Sequence, residues 1–302
     1  MPALSNFSSS TSAHALRYRM AFRAAAVALP LSLMTSVAAA ETGQFNSGGV
    51  PIHFTDEGAG ETVIFLHGFA GSSAMWPAIG LMPLEGFRTI AFDARGHGKS
   101  GKPTDATAYG TELVDDVIRL MDERGVDAAH VVGYSMGAET ALALAVEHGD
   151  RVLSVIAGGS GWSGKEEAQS YGFIATALAQ SDSFGAFMAA MAPPEQELAP
   201  EAEAAMMELL AAHGIDPGQQ AAPLAGVAAG LPEIISLEAS ALQAISAPVL
   251  GMTGENDPER ANIEALAEAL PVVTITVVPG ADHLSAPVTP EFVSAVTDFL
   301  ND

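Results

Sequence analysis

A serine between closely spaced glycines is the first candidate for chemistry in this 302-residue sequence. Ser135 lies in residues 133–137 (GYSMG), after a short apolar run at 129–133 and before a helical stretch at 136–148. A turn this tight between a strand and a helix strains the serine backbone, and the glycines remove side chains that would collide with both elements. The hydroxyl then projects above the carboxyl end of the strand, which predicts that Ser135 is a nucleophile.

A serine hydroxyl is a poor nucleophile until a base takes its proton, so the histidines are the next candidates. His283 follows the last predicted strand, at the same carboxyl edge of the sheet that carries Ser135. His97 lies in a loop rich in hydrogen-bonding groups (residues 93–100, DARGHGKS), where a structural role is favoured. Four other histidines stand in strands, at helix ends or in a helical insertion and are interpreted as incidental: His53, His130, His148 and His213.

An acid that orients the histidine should lie between Ser135 and His283 and follow a strand. Asp257 meets both conditions, because it stands in residues 254–258 (GENDP) after the predicted strand 248–252. Asp257 can also cap the helix that follows, and the two roles are compatible. Glu255 is the nearest competitor, whereas Asp282 is adjacent to the histidine and poorly placed to reach its ring.

A second glycine-rich turn follows the predicted strand that ends at Leu66. Residues 67–72 (HGFAGS) leave backbone N–H groups free to point at a developing negative charge. The predicted donors are the N–H of Phe69 and the N–H of Met136, directly after the nucleophile. His67 is expected to support this loop by hydrogen bonding and not to take part in catalysis.

The elements that must position these groups alternate between strands and helices. Short apolar runs predict buried strands at 62–66, 88–92, 130–132, 152–156, 248–252 and 272–278, and residues 44–60 predict an opening hairpin. Helical patterns occupy 111–124, 136–148, 258–270 and 290–300. This alternation predicts an α/β fold with a mostly parallel sheet and helices on both faces.

One long stretch interrupts the alternation. Residues 161–246 contain no convincing strand, only Ala-, Met- and Glu-rich helical pieces separated by proline and glycine. We predict a helical insertion over one edge of the sheet. Its large apolar residues should mostly pack between the helices of the insertion, with a subset facing Ser135: Trp162, Phe173, Phe184, Phe187, Met188, Met191, Met206 and Met207.

The charge balance is strongly acidic, with 12 Lys and Arg against 36 Asp and Glu and a net charge of −24. Such a surface repels nucleic acids and anionic lipid head groups, because both are bound through basic side chains. The acids are dispersed, which favours solubility over an acidic interaction patch. The sequence has no cysteine, which excludes disulfides, thiolate catalysis, iron–sulfur clusters and cysteine-ligated zinc. We expect no cofactor and no metal.

The first forty residues have the composition of a secretory leader. Three arginines precede an apolar run at residues 24–40, which ends in three alanines before Glu41. A basic start, a short apolar stretch and small residues at the end are typical of a signal peptide, and the run is short for a membrane span. We therefore expect a signal peptide at 1–40, cleavage after Ala40 and an exported, periplasmic or extracellular domain at 41–302 without stable membrane association.

Together these motifs resemble the α/β-hydrolase fold superfamily, in the branch with a helical cap that includes esterases, lactonases and non-metal haloperoxidase-like enzymes. The resemblance extends from residue 44 to the C-terminus and is carried by residues 67–68, 93–100, 133–137, 254–257 and 280–283. It implies that the insertion at about 161–246 is the cap. The turn at residues 133–137 corresponds to the nucleophile elbow of this superfamily. Haloalkane dehalogenases and epoxide hydrolases carry aspartate there, where this chain has Ser135. The GGSWG elbow favoured by the prolyl peptidases is absent from this sequence.

The resemblance implies hydrolysis of a carboxylic ester or a lactone through an acyl-enzyme on Ser135. His283 would move the proton, Asp257 would orient His283, and the N–H groups of Phe69 and Met136 would hold the oxyanion. The expected partner is a small-molecule ester or lactone and not a nucleic acid. One alternative stays open, because some members of this fold keep the triad but serve as ligand receptors with slow or single turnover.

Overall fold

Eight strands form one sheet in the part of the chain that the computed structural model describes, which is residues 40–162, 165–192, 200–270 and 272–302, without the side chains of 165–167. The strands are β1 (Glu41–Ser47), β2 (Val50–Gly58), β3 (Glu61–Leu66), β4 (Phe87–Phe92), β5 (Ala129–Tyr134), β6 (Val152–Gly158), β7 (Val249–Gly254) and β8 (Val273–Val278). Their order across the sheet is β1-β2-β4-β3-β5-β6-β7-β8. The predicted leader at residues 1–40 lies outside the described residues, except for Ala40.

Strand directions follow the predicted pattern. Strands β3 to β8 are mutually parallel, whereas β2 runs antiparallel to both of its neighbours, β1 and β4. The turn between β1 and β2 consists of Gly48 and Gly49, whose φ angles of 60° and 92° lie in the region that favours glycine. The hairpin predicted at residues 44–60 therefore exists and begins three residues earlier.

Eleven helices connect or follow these strands within the described ranges. Five belong to the strand–helix alternation: α1 (Met75–Ala78), α2 (Glu112–Glu123), α3 (Met136–Glu147), α10 (Arg260–Ala269) and α11 (Pro290–Asn301). Six lie between β6 and β7: α4 (Lys165–Ala179), α5 (Phe184–Met191), α6 (Pro200–Ala212), α7 (Ala221–Gly230), α8 (Pro232–Ile235) and α9 (Ala239–Leu242). The fold class predicted from the sequence is confirmed.

Helices cover both faces of the sheet, which explains why its central strands are continuously apolar. Val63 and Phe65 of β3 face one layer, where they pack in a cluster with Trp76 of α1 and Phe292 of α11. The alternate residues of the same strand, such as Ile64, belong to a second cluster with residues of α2, α3 and α10. This sandwich fixes the carboxyl ends of the parallel strands, where the candidate chemical groups lie.

The helical segment between β6 and β7, called the cap here and described at residues 161–162, 165–192 and 200–246, approaches the rest of the domain closely through its small residues. Helix α7 has the sequence AAPLAGVAAG and is buried along most of its length. A Cβ on Gly226 would lie 2.6 Å from the Tyr109 ring, and one on Gly230 would lie 2.5 Å from the backbone N of Gly110. Only a helix without side chains at these positions can approach so closely.

The packing expected for the large apolar residues of the cap is wrong for half of them. Phe173 is 64% exposed, and three methionines are also exposed: Met191, Met206 and Met207. Phe184 is buried, whereas Trp162, Phe187 and Met188 are half-buried against the core. Leu210 is the one buried residue among the described residues of helix α6. Most of this helix lies at the surface, and Met206 and Met207 lie there with it.

Candidate active site

Ser135 stands alone between β5 and α3, in a turn that holds its backbone in an unusual conformation. Its φ is 54° and its ψ is −121°, so a residue with a side chain occupies the left-handed region. A Cβ on Gly133 would lie 2.1 Å from the carbonyl oxygen of Gly137, and a Cβ on Gly137 would lie 2.0 Å from that of Leu66. Both glycines are therefore required for the turn to close against β3.

The structure brings Ser135, His283 and Asp257 together. The Oγ of Ser135 lies 3.1 Å from Nε2 of His283, and Nδ1 of His283 lies 3.1 Å from both carboxylate oxygens of Asp257. With a proton on Nδ1, the imidazole donates to Asp257 and accepts the hydroxyl proton of Ser135. This is the hydrogen-bonding order that a nucleophile, a general base and an orienting acid require.

Asp257 and His283 meet because the loops after β7 and β8 are joined. The N–H of Glu255 donates to the carbonyl of Val278, and the N–H of Asn256 donates to the carbonyl of Ala281, at 2.9 Å and 2.8 Å. The Asp257 side chain is fully buried, and its Oδ1 also accepts the N–H of Glu259 at 2.9 Å. Asp257 thus binds the histidine and the turn before α10, as the sequence allowed.

The two competing acids have other partners. The carboxylate of Glu255 accepts the backbone N–H of Gly280 at 2.7 Å. Asp282 folds onto its own loop, where its Oδ1 accepts from the N–H and the hydroxyl of Ser285 at 2.8 Å and 2.6 Å. Hydrogen bonds from Ser285 also lower the pKa of Asp282. Neither side chain makes a hydrogen bond to His283 within the described residues.

Two backbone donors border the serine. The glycine-rich turn at residues 67–72, called the oxyanion loop for its predicted role, lies beside the turn that carries Ser135, and a Cβ on Gly68 would lie 3.4 Å from the Cβ of Ser135. Among the described residues, the N–H groups of Phe69 and Met136 donate to no protein acceptor. Met136 is the first residue of α3, so the positive end of the helix dipole lies beside Ser135 together with the two N–H groups. The arrangement suits a negative oxygen that develops next to Ser135.

His67 supports the oxyanion loop, as predicted. Its Nδ1 donates to the carbonyl of Gly68 at 2.8 Å, and its Nε2 accepts the N–H of Ala94 at 3.0 Å. Burial lowers the pKa of His67, against the opposing charge of Asp93. The ring is therefore a neutral connector between the loops after β3 and β4, and both of its nitrogens are occupied.

His97 has a structural position as well. The ring is fully buried, lies 5.1 Å from the His67 ring and 5.9 Å from the Phe69 ring, and donates from Nδ1 to the carbonyl of Arg95 at 3.1 Å. Burial lowers the pKa of His97 to about 3. Its edge supports Phe69, whose N–H is one of the two backbone donors.

Three of the four histidines interpreted as incidental make no contact with the triad. His53 and His130 lie on strands β2 and β5, and His148 follows the far end of α3. His213 is different, because it contacts neighbours of Ser135 and His283. It is buried in the cap against Tyr134, and its Nε2 donates to the carbonyl of Leu284 at 2.9 Å. No periodic or motif signal in the sequence marks this contact.

A buried polar group at the boundary of the cap was also missed. Glu139, in the first turn of α3, accepts the Ser160 hydroxyl at 3.1 Å and lies 3.4 Å from the hydroxyl of Tyr171 on α4. The available signal was an acid in the first turn of a mostly apolar helix. The ring of Phe184 in the cap lies 6.4 Å from the ring of Phe69 and stacks on the ring of Phe187. Aromatic side chains therefore extend the apolar surface from the oxyanion loop into the cap.

The described residues hold no group of three or more His, Cys, Asp or Glu side chains that could bind a metal ion. In the same part of the chain, none of the helices combines the length and the apolar character that crossing a membrane requires.

Comparisons with known proteins agree with this fold. The family described as alpha/beta hydrolase fold matches residues 61–203. The 2-(acetamidomethylene)succinate hydrolase of Mesorhizobium japonicum is 28% identical over 267 residues, which are 84% of this chain and 93% of that protein. The dihydrolipoyllysine-residue acetyltransferase component of the acetoin cleaving system of Cupriavidus necator is 42% identical over 109 residues, but these are 35% of this chain and only 29% of the relative.

A solved structure has the same architecture over nearly the whole domain. The enol-lactonase of Burkholderia xenovorans superposes with a TM-score of 0.72 and 22% identity, covering 86% of this chain and all of that one. At this identity the likeness establishes the fold. Together with the family match over residues 61–203, it shows that the chain has the α/β-hydrolase fold.

Proposed function

We propose that this protein is a hydrolase that cleaves carboxylic esters or lactones through an acyl-enzyme on Ser135. One observation carries the proposal: Ser135, His283 and Asp257 form a continuous hydrogen-bonded series beside two backbone N–H groups that have no acceptor among the described residues. A serine at the elbow, in place of an aspartate, favours attack on a carbonyl carbon. Hydrolases and an enol-lactonase among the similar proteins support the same reaction class.

In the first half of the reaction, the Oγ of Ser135 attacks the carbonyl carbon while its proton passes to Nε2 of His283. The negative oxygen that forms is stabilised by the N–H groups of Phe69 and Met136. The bond from carbon to the leaving oxygen then breaks, and His283 returns its proton to that oxygen. An ester releases an alcohol at this point, whereas the alcohol of a lactone remains attached to the acyl group.

In the second half, water replaces the alcohol. His283 takes a proton from the water, whose oxygen attacks the acyl carbon, and the proton then passes to Ser135 as the acyl group leaves as a carboxylic acid. Asp257 keeps the imidazole in one orientation in both halves and stabilises its charged form. The fully buried carboxylate suits this role, because water does not screen its charge.

The direct test combines covalent labelling with turnover. Ser135 should react with a fluorophosphonate probe, and p-nitrophenyl acetate should release product continuously. Ser135→Ala should abolish both while keeping the far-ultraviolet circular dichroism spectrum of the wild type. The matched control is Ser294→Ala on α11, whose hydroxyl is remote from the elbow and bonds Asp298.

Two outcomes would contradict the proposal. Labelling that persists in Ser135→Ala would show that another residue is the nucleophile. A wild-type protein that releases one equivalent of product and then stops would favour a ligand receptor with the same triad. If product release is continuous, a panel of esters and lactones of increasing acyl length, assayed on the same preparation, would define the substrate range.

A further inference from the structure

His213 lies where the cap meets the two loops that border Ser135. It follows α6, is 5% exposed, and donates from Nε2 to the carbonyl of Leu284 at 2.9 Å. Leu284 is the residue directly after His283 in the histidine loop, residues 279–286. A side chain of the cap therefore holds the backbone of the loop that carries the proposed base.

The ring of His213 also packs against the residue before the nucleophile. Its centroid lies 5.7 Å from that of Tyr134, and the Tyr134 ring lies 5.5 Å from the His283 ring. The hydroxyl of Tyr134 donates to the carbonyl of His283. Two consecutive carbonyls of the histidine loop are thus held by two different elements, one by the tyrosine of β5 and the next by the histidine of the cap.

The same part of the cap holds the oxyanion loop. The carbonyl of His213 accepts the N–H of Ser72 at 3.3 Å, and the carbonyl of Gly214 accepts the Ser72 hydroxyl at 3.0 Å. The side-chain amide of Gln219 donates to the carbonyl of Ala70 at 2.6 Å. Residues 213–219 therefore contact both loops that border Ser135.

The electrostatic state of His213 fits a neighbour of a catalytic base. Burial lowers its pKa, the hydrogen bond to Leu284 opposes this effect, and the charge of His283 lowers the pKa further. The hydroxyl of Tyr134, whose ring lies between those of His213 and His283, stays protonated because burial raises its pKa. A neutral His213 adds no positive charge beside His283 when that imidazole takes a proton.

We infer that His213 is a positioning residue, which holds the histidine loop through the Leu284 carbonyl and so fixes His283 against Ser135. The inference rests on the proposed function for its kinetic consequence. It assigns the cap a second task besides enclosing substrate: the cap completes the alignment of the base. A misalignment of about 1 Å at a reacting group can lower a rate by up to about a hundredfold.

Two substitutions separate the hydrogen bond from the packing of the ring. His213→Phe keeps the ring on Tyr134 but removes the donor, whereas His213→Gln restores a donor at about the reach of Nε2. We expect kcat of His213→Phe to fall about tenfold with KM changed less than about twofold, and His213→Gln to recover most of kcat. The matched control is His148→Phe at the far end of α3, roughly 20 Å along the helix from Ser135, which should behave as the wild type.

Hydrogen exchange of the peptide 279–286 provides a readout besides turnover. We expect faster exchange there in His213→Phe, and wild-type exchange in His213→Gln and His148→Phe. The inference is overturned if His213→Phe keeps kcat and loop exchange within about twofold of the wild type. It is also overturned if folded His213→Gln loses as much kcat as His213→Phe, since packing alone would then explain the loss.

The two proposals fail in different ways. If the wild-type protein neither labels with a fluorophosphonate nor turns over an ester, the proposed function fails, and loop exchange in the variants still tests whether His213 holds the loop. Should His213→Phe not fold, His213→Gln decides alone. Turnover within about threefold of the wild type supports the inference, and a loss of about tenfold overturns it.

Discussion

The hydroxyl of Tyr134 donates a hydrogen bond to the carbonyl of His283, so the residue before the nucleophile holds the backbone of the residue that would activate it. The two residues are 149 positions apart in the sequence. Tyr134 ends β5 and His283 follows β8, and the pair connects the elbow directly to the histidine loop. Burial, followed by the negative charges of Asp257 and Asp282, raises the pKa of Tyr134, so the hydroxyl remains a donor throughout any assay range.

Tyr134→Phe should therefore lower kcat about fivefold with little change in KM, because one hydrogen bond of about 1 kcal/mol is lost and the ring stays in place. Steady-state kinetics on one ester would measure the effect. Tyr109→Phe is the matched control, since it removes an equally buried hydroxyl that donates to Pro103 at 2.6 Å. A kcat equal to that of the wild type in Tyr134→Phe would show that the histidine loop does not need this bond.

The identity of the orienting acid gives an ordering of three variants. Asp257→Asn should keep the fold but favour the wrong imidazole tautomer, with a loss in kcat on the order of 10³–10⁴. Glu255→Gln and Asp282→Asn should cost little in comparison, because their carboxylates bond Gly280 and Ser285 and not His283. All three would be assayed at one pH on one ester. If Asp257→Asn kept the kcat of the wild type while Glu255→Gln or Asp282→Asn lost most of it, Asp257 would only support the turn before α10.

The buried His97 predicts that the protein loses stability in mild acid. Its pKa is lowered from 6.5 to about 3, so below pH 6.5 the unfolded chain binds a proton that the folded protein does not. The free energy of unfolding should fall as the pH drops from 6.5 towards 3, by up to about 1.4 kcal/mol per pH unit for this one group. Urea unfolding would be measured at several pH values between 4 and 7. The free energy of unfolding should depend less steeply on pH in His97→Asn than in the wild type. His148→Asn is the control, and an unchanged slope in His97→Asn would contradict the argument.

Two glycine substitutions should have opposite effects on stability. A Cβ on Gly137 would lie 2.0 Å from the Leu66 carbonyl, so Gly137→Ala should push α3 away from β3 and lower the free energy of unfolding by about 2 kcal/mol or more. Gly172 is exposed in α4 with no heavy atom within 4 Å of the same position, so Gly172→Ala should raise it by about 0.5–1 kcal/mol. Chemical denaturation would measure both, and equal effects would mean that the elbow tolerates a side chain.

The proposed leader predicts a defined N-terminus for the exported protein. We propose cleavage after Ala40, which leaves the whole of β1 and the ion pair between Glu41 and Arg124 at 2.6 Å. Intact-mass measurement on protein recovered from outside the cytoplasm should give a chain that begins at Glu41. A mass that includes residues upstream of Glu41 would contradict this cleavage site.

The elbow and the triad order could be predicted because their determinants are local in sequence. Gly133 and Gly137 are needed by the turn itself, and the two loops that carry Asp257 and His283 each follow a recognisable strand. Parallel strands bring such loops to one edge whatever the helices between them do. The positions of these residues thus followed from spacing and strand order, without knowledge of the cap.

The contacts of the cap could not be predicted in this way. His213 and Leu284 are 71 residues apart, and nothing near either residue specifies the partner. The apolar content of the cap was also misleading, since its large apolar side chains were expected to pack mostly between the cap helices, whereas Met206 and Met207 are exposed. Packing between elements depends on how helices approach in space, and a 3.6-residue period records only which residues share one face.

The backbone conformation of Ser135 has a consequence for how this protein would change under selection. A non-glycine residue with φ of 54° and ψ of −121° costs on the order of 1–3 kcal/mol, which the surrounding packing must offset. Glycine at this position would remove that cost and the nucleophile together. Libraries screened only for heat resistance would consequently enrich sequences that have exchanged the proposed activity for a relaxed turn, and survival of heating alone would be a misleading measure of improvement.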